Sequence, residues 1–421
     1  MRLSGLLLSV GILMGLGACA GVPAHHPVPE AEASKAVVEG FPANIRFWAD
    51  ESPAFAGTIV GERLDEYRAA NADYFKAHGS YPPLNYLAIS GGANDGAFGA
   101  GFLSGWYTSG TRPDFEMVTG ISTGALIAPY VFVGAQDEDR LRNLYTNTST
   151  TGIFQSSLFS VLEGLSGGLA VTDNAPLVKM IDANVTPELV TAIAAEQKKG
   201  KRLFIGTTNL EAQRGVIWDI GAIASSGNPK ALDLIREIIL ASVSVPGVFA
   251  PVFIHVQVGD RHYDEIHADG GLVSQVFIYP LKLKRSVIDE FDRYHLERRL
   301  YVLRNGKIVP EYDPQKLSLF GLTSRSLETF TKYQGLGDLY RLYIASKRDG
   351  MDFNLVYIPD SFDAVSKQLF DPAYMRKLYD AGYTLGLQAD SAWKKQPPGV
   401  EYEPETTGDS DQQMDKPSHE K

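Results

Sequence analysis

Cysteine is almost absent: one residue, Cys19, in a chain of 421. No intrachain disulfide can form, so a disulfide-stapled scaffold is excluded and stability must come from an apolar core. A basic excess is missing as well. Asp and Glu outnumber Lys and Arg by 50 to 39, for a net charge of −11, and no nucleic-acid partner is expected. No internal stretch reads as a transmembrane helix, and no repeat of fixed period is evident. The rest is globular stock, 44% hydrophobic and 21% charged, which excludes disorder of the chain as a whole.

The longest apolar run is N-terminal. Arg2 precedes Leu3 to Leu16, interrupted by Ser and Gly, and Gly17 and Ala18 follow. Residues 1–18 therefore read as a secretory signal peptide. Leu16-Gly17-Ala18-Cys19 resembles the bacterial lipoprotein box, in which the cysteine is acylated and becomes the first mature residue. Acylated Cys19 would anchor the protein to a membrane. Ala20 stands where Asp would signal retention at the inner membrane, so the expected location is the outer membrane of a bacterial envelope. Residues 19–40, rich in Pro and Ala, are expected as a flexible tether, with His25 and His26 as a solvated pair rather than metal ligands. Residues 396–421 read as a disordered acidic tail, leaving 41–395 as the body.

Within the body, strand-like and helix-like patterns alternate. Strands are expected at 86–89, 115–119, 203–207, 216–220, 299–303 and 353–358, with a hairpin at 253–258 and 263–266. Helices are expected at 97–109, 123–135, 174–183, 230–242, 323–347 and 372–390. Such alternation implies an α/β fold with a largely parallel sheet. Arg293, Arg298, Arg299 and Arg304 alternate with acidic residues and read as a solvated charged surface. Phe154, Leu158, Phe159, Leu162 and Leu165 sit in a Gly/Ser-rich segment that could form an acyl-binding lid over 154–168.

Two Gly-x-Ser-x-Gly matches occur. Chemistry needs the serine on a sharp turn between a strand and a helix, where small neighbours leave Oγ proud of the sheet. Gly120-Ile121-Ser122-Thr123-Gly124 has that context; Gly164-Leu165-Ser166-Gly167-Gly168 lies in a loop with no helix directly after it. Ser122 is thus the candidate nucleophile and Ser166 the rival. A second loop, Ser90-Gly91-Gly92-Ala93-Asn94-Asp95-Gly96, joins a strand to a helix. It lacks the Gly-Lys-Ser/Thr ending of a P-loop, and Gly99-Ala100-Gly101 fits a dinucleotide fingerprint poorly. The remaining reading is an oxyanion hole built from the N–H groups of Gly91, Gly92 and Ala93.

With Asp269-Gly270-Gly271 and the segment from Ala241 to Pro251, these motifs resemble the patatin-like phospholipase family over roughly residues 84–280. The resemblance implies a three-layer α/β/α fold with a mostly parallel central sheet. It implies a Ser–Asp dyad with Ser122 as nucleophile and Asp269 as general base, acting on lipid or acyl esters without metal or organic cofactor. Phospholipase A, lysophospholipase and esterase activities all fall within it. Two positions depart from the family's Gly-Gly-Gly-x-Arg/Lys-Gly loop: Ala93 replaces its third glycine, and Asp95 its basic residue. Two alternatives stay open. One is an α/β-hydrolase triad using His295, and the other is a non-catalytic scaffolding lipoprotein of the same fold. His267, two residues before Asp269, is expected to be structural.

Overall fold

The computed structural model describes residues 25–53, 56–134, 138–146, 174–279, 293–315, 317–367 and 370–400, together with 289 and 291. Cys19, the signal segment, Ser166, the candidate lid and the tail beyond residue 400 lie outside the described residues.

A ten-stranded sheet organises the chain. Its strands are β1 (Val37–Val38), β2 (Arg46–Trp48), β3 (Leu84–Ile89), β4 (Met117–Ile121), β5 (Arg202–Asn209), β6 (Arg214–Asp219), β7 (Val252–Val258), β8 (Arg261–Asp269), β9 (Arg298–Arg304) and β10 (Met351–Tyr357). Strands β10, β9, β3, β4 and β5 run parallel, in that spatial order. At β5 the direction changes: β6 and β8 both pair with it antiparallel, β7 and β1 extend the sheet beyond β8, and β2 pairs with β6. Strands of mixed direction make up half of the sheet, more than alternation of elements alone suggests.

The parallel centre is covered on both faces, which is why β3 is a continuous buried run, Leu-Asn-Tyr-Leu-Ala-Ile. Leu87 and Ile89 point into one apolar cluster, whereas Leu84, Tyr86 and Ala88 point into another. The first cluster is closed by helices α1 (Gly96–Thr108), α2 (Thr123–Val133), α3 (Ala231–Val243) and α5 (Pro372–Gly386). The second is closed by Leu64 of the helix Ala56–Ala70 and by Leu339 and Leu342 of α4 (Leu319–Arg348). Three layers result, helices on each side of the sheet. α1 and α5 cross at close range: a Cβ on Gly101 would collide with the Tyr379 carbonyl, and one on Gly382 with the Phe98 carbonyl. That crossing brings the start of α5 beside the Gly-rich loop.

Two expectations need correction. The segment expected as a free tether is docked from residue 25 onward. Asp264 N–H donates to the His26 carbonyl, Arg261 pairs with Glu32, His25 meets Glu211, and Val37–Val38 joins the sheet against β7. The arginines from 293 to 304 form a solvated surface only in part: Arg293 is exposed and Arg299 is half-exposed beside Glu297. β9 lies between β3 and β10, so Arg298 and Arg304 are buried in spite of their charge.

Candidate active site

Parallel strands leave their C-terminal ends open for a site. Ser122 occupies that end of β4, between Ile121 and the first residue of α2, with φ 54° and ψ −124°. A non-glycine residue there carries about 1–3 kcal/mol of backbone strain. The neighbours explain how the turn closes. A Cβ on Gly120 would collide with the Gly124 carbonyl, and one on Gly124 with the Ile89 carbonyl. The Ser122 N–H donates to Ser242 Oγ at 3.0 Å, and the Ser242 hydroxyl donates to the Gly206 carbonyl at 2.7 Å. Ser242 of α3 thus pins the turn to β5.

Asp269 ends β8 and sits opposite Thr207 of β5, which carries it to the same sheet end. Its Oδ1 accepts the Gly271 N–H at 2.7 Å. Oδ2 is shut away from solvent, with no partner in full hydrogen-bond geometry among the described residues. Burial pushes the carboxyl up to about 6, against the Ser122 hydroxyl and the Gly271 N–H, which favour the ionised form. A buried carboxylate next to a serine hydroxyl, short of one donor, is poised to take that proton.

The Gly-rich loop closes the site from β3. The Gly91 N–H donates to the Gln275 carbonyl at 3.0 Å, so it is not available to an oxyanion and the expected three-donor hole loses a member. Gly92 (φ 156°) and Ala93 (φ 47°) follow, and no described residue accepts their N–H groups. Ala93 holds the left-handed turn with its Cβ in place, at a cost of about 1 kcal/mol. Asn305 clamps the loop. Its N–H donates to Ser90 Oγ and its side-chain amide to the Ser90 carbonyl, both at 2.8 Å, while its Oδ1 accepts the Gly99 N–H at 3.1 Å. Gln275 ties the loop to the Asp269 turn by donating to the Gly271 carbonyl at 2.8 Å. Sequence reading missed Asn305 and Gln275 as site residues. Ser242 lies inside the Ala241–Pro251 motif, but its bridging role was not visible there.

Asp95 does not stand as a bare charge before the nucleophile. Tyr374 of α5 donates to its Oδ1 at 2.7 Å, and burial raises the carboxyl to about 6 in spite of that bond. Ser122, Asp269, Gly92, Ala93 and Asp95 line one cavity of about 580 Å³, with Leu126, Val243, Val248 and Phe249 on its apolar wall.

The histidines fall outside this chemistry. His267 is buried, with Nδ1 at 2.9 Å from Thr207 Oγ1 and Nε2 at 3.0 Å from Glu265. Burial pushes it below the ordinary histidine range, and Arg46 pairs with the same Glu265, so the group ties β2, β5 and β8 together. His295 precedes β9 at the opposite, N-terminal edge of the parallel strands and is exposed. Seven residues of extended chain, roughly 20 Å, separate it from the end of β9 beside Ser122, so no Ser–Asp–His triad forms with it.

Residues 87–282 match the family model described as patatin-like phospholipase. This region is a patatin-like phospholipase domain. The domain is that of a lipid ester hydrolase, and it contains the Gly-rich loop, Ser122 and Asp269, whereas Asn305, Arg304 and Tyr374 lie beyond it. No curated protein matches the chain. Among solved structures, VipD from Legionella pneumophila is 12% identical, over 75% of this chain and 68% of that one, with a TM-score of 0.35. Human GIVD cytosolic phospholipase A2 is 9% identical over 78% of this chain, which spans 56% of the enzyme, with a TM-score of 0.34.

Proposed function

We propose that the patatin-like domain hydrolyses lipid carboxylic esters through a Ser122–Asp269 dyad. The observation that carries this reading is the convergence of a strained serine turn, a partly unsatisfied buried carboxylate and two unpaired N–H groups in one cavity. Ser122 Oγ attacks the ester carbonyl as its proton passes to Asp269 Oδ2. Gly92 and Ala93 N–H groups stabilise the resulting oxyanion, a contribution of about 3–4 kcal/mol per donor. Collapse expels the alcohol, which takes the proton from Asp269. Water then attacks the acyl-serine with Asp269 again as base, releasing the acid and restoring Ser122.

Asp269 works as a base only when ionised. Its carboxyl stands at about 6, so activity falls with acidification below that value and levels off above it. A pH profile of kcat/KM on a soluble neutral ester should show one acid limb near pH 6 that Asp95→Asn keeps in place. A flat profile down to pH 4.5 would remove Asp269 from the base role.

The domain is further proposed to reach its substrate from an outer-membrane anchor at Cys19, supported by the lipoprotein box Leu16-Gly17-Ala18-Cys19. Cells fed radiolabelled palmitate should label the full-length protein, and Cys19→Ala should lose the label. Retained label in that variant would exclude this anchor.

A further inference from the structure

Arg304, the last residue of β9, is 6% exposed; its Nη1 is shut away from solvent without a hydrogen-bond partner, and no carboxylate among the described residues lies within ion-pairing distance of the guanidinium. An unpaired buried cation is costly, by several kcal/mol in general, and persists where something offsets it. Among the described residues, the other cations lining the cavity have partners. Lys307 and Lys332 pair with Glu311, and Arg325 pairs with Glu328. The two carboxylates whose fields favour charged Arg304 are engaged elsewhere. Asp95 accepts from Tyr374, and Asp338 accepts the Gln275 N–H and Arg341. α4 makes room for the guanidinium: a Cβ on Gly335 would collide with Nη1. Arg304 lines the same cavity as Ser122.

We infer that Arg304 is the specificity determinant of the site and binds an anionic phosphate oxygen on the ester substrate. The inference rests on the ester-hydrolase reading and deepens it. Asp95 stands where the family's loop carries a basic residue, and β9, paired with β3, ends with Arg304 at the same cavity. A guanidinium presents paired donors that match phosphate oxygens, and closure of the cavity by lipid strengthens that contact. Neutral glycerides leave Arg304 unpaired, so the site discriminates against them.

The test measures binding to full-length protein carrying Ser122→Ala, so that it does not depend on which residue is the base. The probes are dihexanoyl phosphatidic acid and dihexanoylglycerol, each below its micelle concentration, titrated by calorimetry. The phosphate ester should bind more tightly, and Arg304→Gln should cut that preference by about 30-fold, the size expected for a charge-assisted hydrogen bond. Arg304→Lys should restore part of it. Gly335→Ala, which crowds the guanidinium without removing charge, should also reduce the preference. An unchanged ratio in Arg304→Gln overturns the inference. So does inorganic phosphate binding at Arg304 with no preference for the phosphate-bearing lipid, which would assign the site to a free ion. Failure of the dyad appears separately, as loss of serine labelling in the unsubstituted enzyme.

Discussion

Ser122→Ala should leave a folded protein that no longer reacts with a fluorophosphonate and has lost about 10⁴-fold or more of its kcat/KM on esters. The size of the effect follows from geometry. Ser122 is 8% exposed, at the floor of the cavity, on a turn that holds φ at 54°. The strained backbone is kept by contacts other than the hydroxyl: the Ser242 bridge, the glycine packing at positions 120 and 124, and the start of α2. Removing Oγ therefore deletes the nucleophile and leaves the turn standing. Thermal unfolding of the variant should lie within a few degrees of the parent. A variant that still hydrolyses esters at the parental rate would remove Ser122 from the chemistry.

Asp269→Asn should cost about 10³-fold in kcat/KM, because an amide cannot take the serine proton. It should also make the protein more stable. In the folded protein the carboxyl stands at about 6, above its ordinary value of 3.8, so folding favours the protonated form. Below the ordinary value the group is protonated in folded and unfolded chains alike, and folding carries no cost. As pH rises from there through the folded value the unfolded chain gives up its proton first, and stability on the order of 3 kcal/mol is lost by the point where the buried carboxylate ionises. Asn removes that loss and keeps an oxygen for the Gly271 N–H. The melting temperature of Asp269→Asn should exceed the parent's at pH 7.5, and the gap should close towards pH 4. A less stable variant at pH 7.5 would mean that Asp269 is held by contacts beyond those seen. This is the usual opposition between stability and activity, located in one side chain.

What could be read from the sequence is what is local. β3 is a mostly apolar run leading into Ser90-Gly91-Gly92, and β4 ends at a Gly-x-Ser-x-Gly turn followed by an apolar helix, so both loops and Ser122 stand out in the chain itself. Asp269 needed the family pattern, because an Asp before two glycines is also an ordinary turn. Contacts between distant segments were not legible. Gly91 looks identical to Gly92 as a donor until the Gln275 carbonyl is placed beside it. The insertion of β9 next to β3 puts Asn305 and Arg304 at the loop, and nothing in the pattern of residues 298–305 announces that neighbour. The alternating charges there suggested a wet surface, since periodicity reports polarity but not strand order. Residues 25–40 misled for a related reason. Their prolines and polar side chains suit a linker, yet Arg261, Glu211 and β7 supply matching partners.

The most direct measurement is to map the covalent adduct. Full-length protein is reacted with an alkyl fluorophosphonate at pH 7.5, digested, and the modified residue identified by tandem mass spectrometry. The account predicts a single phosphonylated serine, Ser122, with labelling slowed in Asp269→Asn. An adduct on Ser166, or no adduct on folded protein, would contradict it.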